Sequence, residues 1–216
     1  IFSSSATVYG NADSVPIKEH APMKEAFSPY GKTKQICEEI IRDTAKSNSS
    51  TKSVVLRYFN PVGAHPSGLI GELPNGKPQN LIPFITQTLI GKINKLMVFG
   101  DDYPTEDGTC IRDYIDVMDL AEAHIKSLEF ILEPKNDKNF EVINIGTGKG
   151  HSVFQIIKIF EKVTKKKLKY EITERRKGDV PISYADCSKA KEILGWTSKL
   201  SIEDSIASSW NWENNN

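Results

Sequence analysis

Tyr30 and Lys34 stand four residues apart in the segment Tyr30-Gly31-Lys32-Thr33-Lys34. Residues i and i+4 share one face of a helix, so the phenol and the ammonium can look into the same cleft. A free tyrosine keeps its proton until about pH 10. A cation about 4 Å away, at an effective dielectric of ~20, stabilises the phenolate by roughly 4 kcal/mol. That brings proton shuttling within reach of neutral pH. The spacing alone is common on amphipathic helices. Ser3-Ser4-Ser5 changes its weight, because the serines follow Ile1-Phe2, which reads as the end of a buried strand. Ligands of open α/β sheets bind outside the carboxyl ends of the strands. A single serine there would be a cap or a turn. A serine cluster, Tyr-x-x-x-Lys and a second buried strand, in that order, make Ser5, Tyr30 and Lys34 a candidate catalytic set.

The elements that must position this set are legible in the pattern. Ser28-Pro29 reads as a helix start, with Ser as cap and Pro at the first position. Ile36, Ile40 and Ile41 give that helix an apolar stripe. Ser53 to Phe59 is an apolar, β-branched run, as expected of a central parallel strand, and it breaks at Asn60-Pro61-Val62-Gly63. Gly68 to Pro83 reads as a long ordered loop. Phe84 to Ile93 reads as helix and Leu96 to Phe99 as strand, followed by a loop through Gly108. Asp116 to Leu132 is expected to be a helix capped by Asp116, with Asp119 three residues on. Phe140 to Ile145 is expected to be a strand. Ser152 and Gln155 form a capping box for a helix to about Thr164. Leu168 to Ile172 reads as a strand, and two short helices capped by Ser188 and Ser201 close the chain. Strands alternating with helices predict an α/β fold with a parallel sheet. No internal repeat is present, and only the Asn-rich end is of low complexity.

Composition excludes several classes. The 216 residues are 38% hydrophobic and 26% charged, which suits a folded chain with a real core. Lys plus Arg equals Asp plus Glu at 28 each, so no basic excess favours nucleic acid. Lys165-Lys166-Lys167 reads as a solvated helix end. Cys37, Cys110 and Cys187 are scattered, as are the 4 histidines, which predicts neither a disulfide framework nor a metal site. No apolar run is long enough to span a bilayer and no signal peptide is visible, so the expected location is the cytoplasm. The glycosylation sequon Asn48-Ser49-Ser50 is then idle.

Ser3-Ser4-Ser5-Ala6-Thr7-Val8-Tyr9-Gly10 followed by Ser28-Pro29-Tyr30-Gly31-Lys32-Thr33-Lys34 resembles the extended short-chain dehydrogenase/reductases. Three later segments narrow the resemblance to the UDP-glucose 4-epimerases: Leu56 to Gly68, Phe99 to Thr109, and Arg112 to Val117. It runs from Ile1 to about Trp212. It implies the C-terminal half of a Rossmann-type parallel sheet with a smaller mixed α/β substrate-binding domain. Residues 1–59 would be the second part of the NAD-binding Rossmann domain. Residues 60–216 would be mainly the UDP-sugar-binding domain, returning to the Rossmann part around 110–145.

The implied chemistry interconverts UDP-glucose and UDP-galactose with NAD as cofactor. Tyr30 would take the proton of the sugar 4-hydroxyl while hydride passes from C4 to NAD. Ser5 would hydrogen-bond the 4-oxygen, and Lys34 would hold the nicotinamide ribose. The 4-keto sugar would turn and take hydride back on its other face. Phe59 would sit near the nicotinamide, although a core aromatic is the plainer reading. Asn60, Asn80 and Leu81 match diphosphate-side positions, where the asparagines read equally as turn residues. Met97, Val98 and Phe99 match the segment beside the uracil and also read as a short strand. Arg112 and Arg176 would clamp the diphosphate, since Arg offers two parallel donors. Asp179 would accept from the uridine ribose. Ser183 is smaller than the tyrosine of some relatives, which implies that N-acetylated UDP-hexoses also fit.

Gly146-Thr147-Gly148-Lys149-Gly150 fits neither phosphate-loop spacing and is expected to be a strand-to-helix turn. The resemblance places the Gly-rich dinucleotide fingerprint ahead of Ile1, so about half of the two-half sheet is expected there. This polypeptide by itself is then expected to bind NAD poorly. A homodimer is implied by the resemblance only. Two other readings compete. One is a sugar-nucleotide 4,6-dehydratase, which needs acidic residues where Ala6 and Thr7 stand. The other is a sugar-nucleotide binder without turnover, which has no need of Ser5, Tyr30 and Lys34 together.

Overall fold

The computed structural model describes residues 1–215. Strand β1 (Phe2–Ser5) runs straight through the serine cluster and is followed by one 3-10 turn over Ala6–Tyr9. Helix α1 (Pro29–Ser47) starts at Ser28, whose Oγ accepts from the Gly31 amide. Strands β2 (Ser53–Tyr58) and β3 (Asn60–Val62) lead to α2 (Leu81–Leu89) and β4 (Leu96–Phe99). The short strands β5 (Ile111–Arg112) and β6 (Tyr114–Asp116) precede α3 (Val117–Leu132) and β7 (Phe140–Ile145). Next come β8 (His151–Ser152), α4 (Val153–Thr164), β9 (Tyr170–Thr173) and β10 (Ile182–Ser183). Helices α5 (Ser188–Leu194) and α6 (Ile202–Asn214) complete the described chain.

The principal sheet is parallel, in the order β1-β2-β7, with Leu56 between Ser3 and Ile143 and Arg57 between Ser4 and Asn144. Val54, Val55 and Leu56 are wholly buried, as the apolar run predicts for a central strand. The fold is therefore α/β with parallel sheets, as expected. Two smaller parallel pairs, β3-β6 and β4-β9, and the three-stranded set β10-β5-β8 carry the rest. One apolar core lies under the principal sheet around Leu56, Ile115, Ile143 and Trp196. A second joins α2, β4, α4 and α6 around Ile85, Val98, Phe160 and Ile206.

Several local expectations need correction. The apolar stripe of α1 is not its buried face: Ile36 is 43% and Ile40 60% exposed. The helix docks instead through Gly31, Gln35, Glu38 and Ala45. Gln35 Nε2 donates to the carbonyls of Val8 and Lys24. Glu38, fully buried, receives Arg57 through Nη2 at 2.7 Å and Nε at 3.0 Å, and also the Ser4 hydroxyl. Polar partners buried as a set override the periodicity. Helix α2 begins at Leu81 rather than Phe84, since Pro83 is tolerated in a first turn. Asp119 does not serve its own helix start; its Oδ2 accepts from the amides of Lys199 and Leu200. Ser188 is the first residue of α5 rather than its cap, and its amide and hydroxyl both go to Asp186. The last helix is longer than the short one expected. The Ser152–Gln155 and Ser201–Asp204 capping boxes are both formed.

Candidate active site

Alternation along β1 sends the three serines to different places. Ser4 faces α1 and Glu38. Ser3 Oγ lies 2.9 Å from His124 Nε2 on α3. Ser5, the last strand residue, accepts from the Thr7 amide at 3.3 Å, which leaves its hydroxyl proton able to donate. Lys34 Nζ donates to the Ser3 carbonyl at 2.8 Å and lies 5.4 Å from the Tyr30 ring centroid. Helical spacing thus brings Tyr30 and Lys34 together at the carboxyl end of β1. Tyr30 is 49% exposed. The neighbouring Tyr58 phenol is raised above its ordinary value by burial first and by Tyr30 second, against a hydrogen bond with Ser3.

Two cavities adjoin here. One, of about 330 Å³, is lined by Ser5, Tyr58, Phe59 and Ser183, among others. The other, of about 160 Å³, is lined by Asn80, Leu81, Met97, Val98 and Phe99, among others. Asn60, Arg112, Arg176 and Asp179 line both and stand where they meet. Every sequence-predicted site residue except Tyr30 and Lys34 is therefore among the lining of this pair of cavities, and Tyr58, on the wall of the first, interacts with Tyr30.

The junction is built around charge. Asp179 Oδ1 accepts from Arg176 Nη2 at 2.8 Å, its Oδ2 from Arg176 Nε at 3.2 Å, and Arg112 Nη2 lies 3.7 Å from Oδ1. That hydrogen bond to Asp179 raises the Arg176 pKa further. Two guanidiniums against one carboxylate leave net positive charge, which suits an anionic group such as a diphosphate. Arg176 also lies over the Phe99 ring, at 5.8 Å. Strand alternation separates the uracil-side candidates: Phe99 is exposed and Met97 half-buried against the core edge, while Val98 is 1% exposed and packs in the core.

Asn80 carries no cap bond; its Nδ2 donates to Glu72 at 2.8 Å. The Gly146–Gly150 turn carries no phosphate-loop character. Thr147 and Gly148 wrap the fully buried Asp113 carboxylate instead, and a Cβ on Gly146 would sit 2.5 Å from Asp113 Oδ2. Sequence reasoning missed Tyr58, Gln79, Cys110 and Tyr114, all of which line the cavities. Tyr58 and Tyr114 lie inside named segments, while Gln79 and Cys110 each adjoin a named residue or segment, Asn80 and Phe99 to Thr109. Among the described residues no cluster of His, Cys, Asp and Glu could hold a metal, and no helix is long and apolar enough to cross a membrane.

A family model described as GDP-mannose 4,6 dehydratase matches residues 1–209. The chain belongs to that family. Its description names one activity, and relatives of this chain are named for another. A UDP-glucose 4-epimerase of Bacillus subtilis is 50% identical over all 216 residues. The solved UDP-glucose 4-epimerase of Stenotrophomonas maltophila, with bound NAD and formylated UDP-arabinopyranose, superimposes with a TM-score of 0.95 at 46% identity. It is matched by 99% of this chain, which covers 62% of it. The epimerase of Bifidobacterium longum, in complex with NAD+ and UDP, gives a TM-score of 0.94 at 46% identity, over 100% of this chain and 63% of that one. The chain spans 62% of the length of the Bacillus relative.

Proposed function

We propose that this chain supplies the catalytic and nucleotide-sugar-binding part of an NAD-dependent UDP-hexose 4-epimerase, interconverting UDP-glucose and UDP-galactose. The observation that carries the reading is the pair of cavities meeting at Arg112, Arg176 and Asp179, with Ser5 lining one and the β4 segment the other. That arrangement matches a nucleotide joined to a sugar through an anionic bridge. The S. maltophila and B. longum relatives are described with NAD and with UDP or a UDP-sugar, which supports the same reading.

The residues at the end of β1 fit the ribose and nicotinamide part of NAD. Lys34 and Tyr30 offer a cation and a hydroxyl side by side, and Phe59 is an apolar wall of the adjoining cavity. When bound, NAD supplies a reversible hydride acceptor. Tyr30 takes the proton of the hexose 4-hydroxyl and returns it, with Lys34 beside it. Ser5 donates to the 4-oxygen. Arg112 and Arg176 hold the diphosphate while the sugar turns between its two faces, and Asn60 lies at the same junction. Ser183, with its small side chain on the cavity wall, leaves room for a 2-acetamido group. Residues 1–59, with β7, form the cofactor side, and most of residues 60–216 the UDP-sugar side. The cytoplasm, where the free thiols Cys37, Cys110 and Cys187 stay reduced, is the proposed location.

A 4,6-dehydratase is disfavoured by the same cavity. Ala6 and Thr7 line it, and its carboxylate is Asp179, which two arginines already engage. The test is proton NMR of UDP-galactose with NAD and an N-terminally extended form of the protein. UDP-glucose should appear, and Tyr30→Phe should slow it by at least about 100-fold. A 4-keto-6-deoxy product, or no turnover with tight UDP binding, would overturn the epimerase in favour of a dehydratase or a binder respectively.

A further inference from the structure

Phe27 is a large apolar side chain without a core. It is 57% exposed, and it belongs to none of the three apolar clusters of the fold. It immediately precedes Ser28, the cap of the helix that carries Tyr30 and Lys34. Its neighbour across the gap is the loop between Arg176 and Val180. A Cβ built on Gly178 would lie 3.1 Å from Phe27 Cβ, and Gly178 holds φ at +87°, so a side chain there is disfavoured twice.

This contact is also a partition. Phe27 and residues 177–180 line the cavity that contains Ser5 and Ser183. The same residues line a second hollow of about 570 Å³ together with Asn11 and Pro181. The seam between Phe27 and the loop therefore stands between the two hollows.

We propose that Phe27 is a sugar-binding specificity residue: its ring packs on the hexose of a UDP-sugar and closes the inner cavity over it. The idea rests on the nucleotide-sugar reading above. The C–H face of a pyranose presents weakly positive hydrogens, and an aromatic face is its electrostatic complement. A half-exposed phenylalanine gains burial when such a face covers it. The position suits the sugar rather than the nucleotide, since Phe27 lines the Ser5 cavity and not the one formed with β4. The segment leading into the helix that carries Tyr30 and the Arg176–Val180 loop meet at this seam, so a sugar packed on Phe27 lies beside both.

Calorimetric titration of UDP and of UDP-galactose into this chain tests it, because both cavities lie within the described residues. Phe27→Ala should weaken UDP-galactose about tenfold and UDP by less than about twofold. Phe27→Tyr should restore the ratio of the two affinities. An unchanged ratio in Phe27→Ala overturns the inference alone, as does an equal loss on both ligands, which marks a merely structural seam. No UDP binding by the unaltered chain sinks the nucleotide-sugar reading and this inference with it.

Discussion

Asp113 sits between Arg112 and Tyr114, both of which face the proposed nucleotide cavity, yet its own carboxylate is fully buried. Oδ1 accepts from the Thr147 amide at 2.9 Å and the Thr147 hydroxyl at 2.7 Å. Oδ2 accepts from the amides of Gly148 and Ala185, each at 3.1 Å. Burial raises its carboxyl pKa above the ordinary value, against the pull of those bonds. Asp113→Asn keeps the shape but turns one acceptor oxygen into an NH2 group. Facing Gly148 and Ala185, the NH2 group meets two donors; facing Thr147, it meets the amide and a hydroxyl that can turn to accept from it. At least one hydrogen bond to a charged acceptor is lost, at about 1.5–3 kcal/mol. Relief from burying a charge offsets part of what an orphaned N–H group and the weakening of the remaining bonds add, so a net loss of about 3 kcal/mol is expected. For a chain of this size each kcal/mol moves Tm by about 2–4 °C, so the midpoint should fall by about 6–12 °C. Differential scanning calorimetry reads the shift, and titration with UDP reads whether Arg112 is displaced with it. A midpoint within about 2 °C of the unaltered protein would refute the idea that this carboxylate holds three segments together.

Two further predictions come from other parts of the molecule. Arg57→Met leaves the fully buried Glu38 uncompensated and should cost about 3–5 kcal/mol in urea unfolding, whereas Arg57→Met with Glu38→Leu should recover most of it; equal losses in the single and double variants would contradict the pairing. Burial lowers the His151 pKa below its ordinary 6.5, so the folded state binds fewer protons there than the unfolded one. Its contribution to stability is present above about pH 6.5 and lost as pH falls below it, and His151→Asn should flatten the fall of the denaturation midpoint below about pH 6.5 relative to the unaltered chain.

Residues whose role is set by their own backbone position were legible in advance. Ser28, Asp116, Ser152 and Ser201 cap helices because their side chains reach amides two or three residues on, a purely local geometry. Leu96 to Phe99 and Phe140 to Ile145 came out as read, because β-branched and aromatic runs between breakers leave few options. What local pattern misread was whatever depends on a distant partner. Ile36 and Ile40 look like a buried stripe until Arg57, 19 residues beyond Glu38, claims the opposite face. Asp119 looks like a helix-start acid until residues 80 positions away present their amides. Most of the candidate site was legible only through the resemblance, since arginines and asparagines in loops carry no periodicity.

The way the clamp is assembled explains why these residues had to be read together. Arg112 ends β5, whose strand partners are β8 and β10. Asp179 and Arg176 lie on the loop that leads into β10, so the register Ser183↔Arg112 fixes the distance between the two guanidiniums and their shared carboxylate. Asn60 reaches the same junction from the other direction, because Asn60↔Tyr114 is the first pair of the β3-β6 ladder. Asp113 lies between these two ladders, with its amide on the Ser183 carbonyl and its carbonyl on the Asn60 amide. One residue thus joins the ladder that sets Arg112 to the one that sets Asn60. Movement of Asp113 should therefore shift both sides of the anion site at once, which is why its loss is expected to weaken UDP binding although no atom of its side chain lines the cavity.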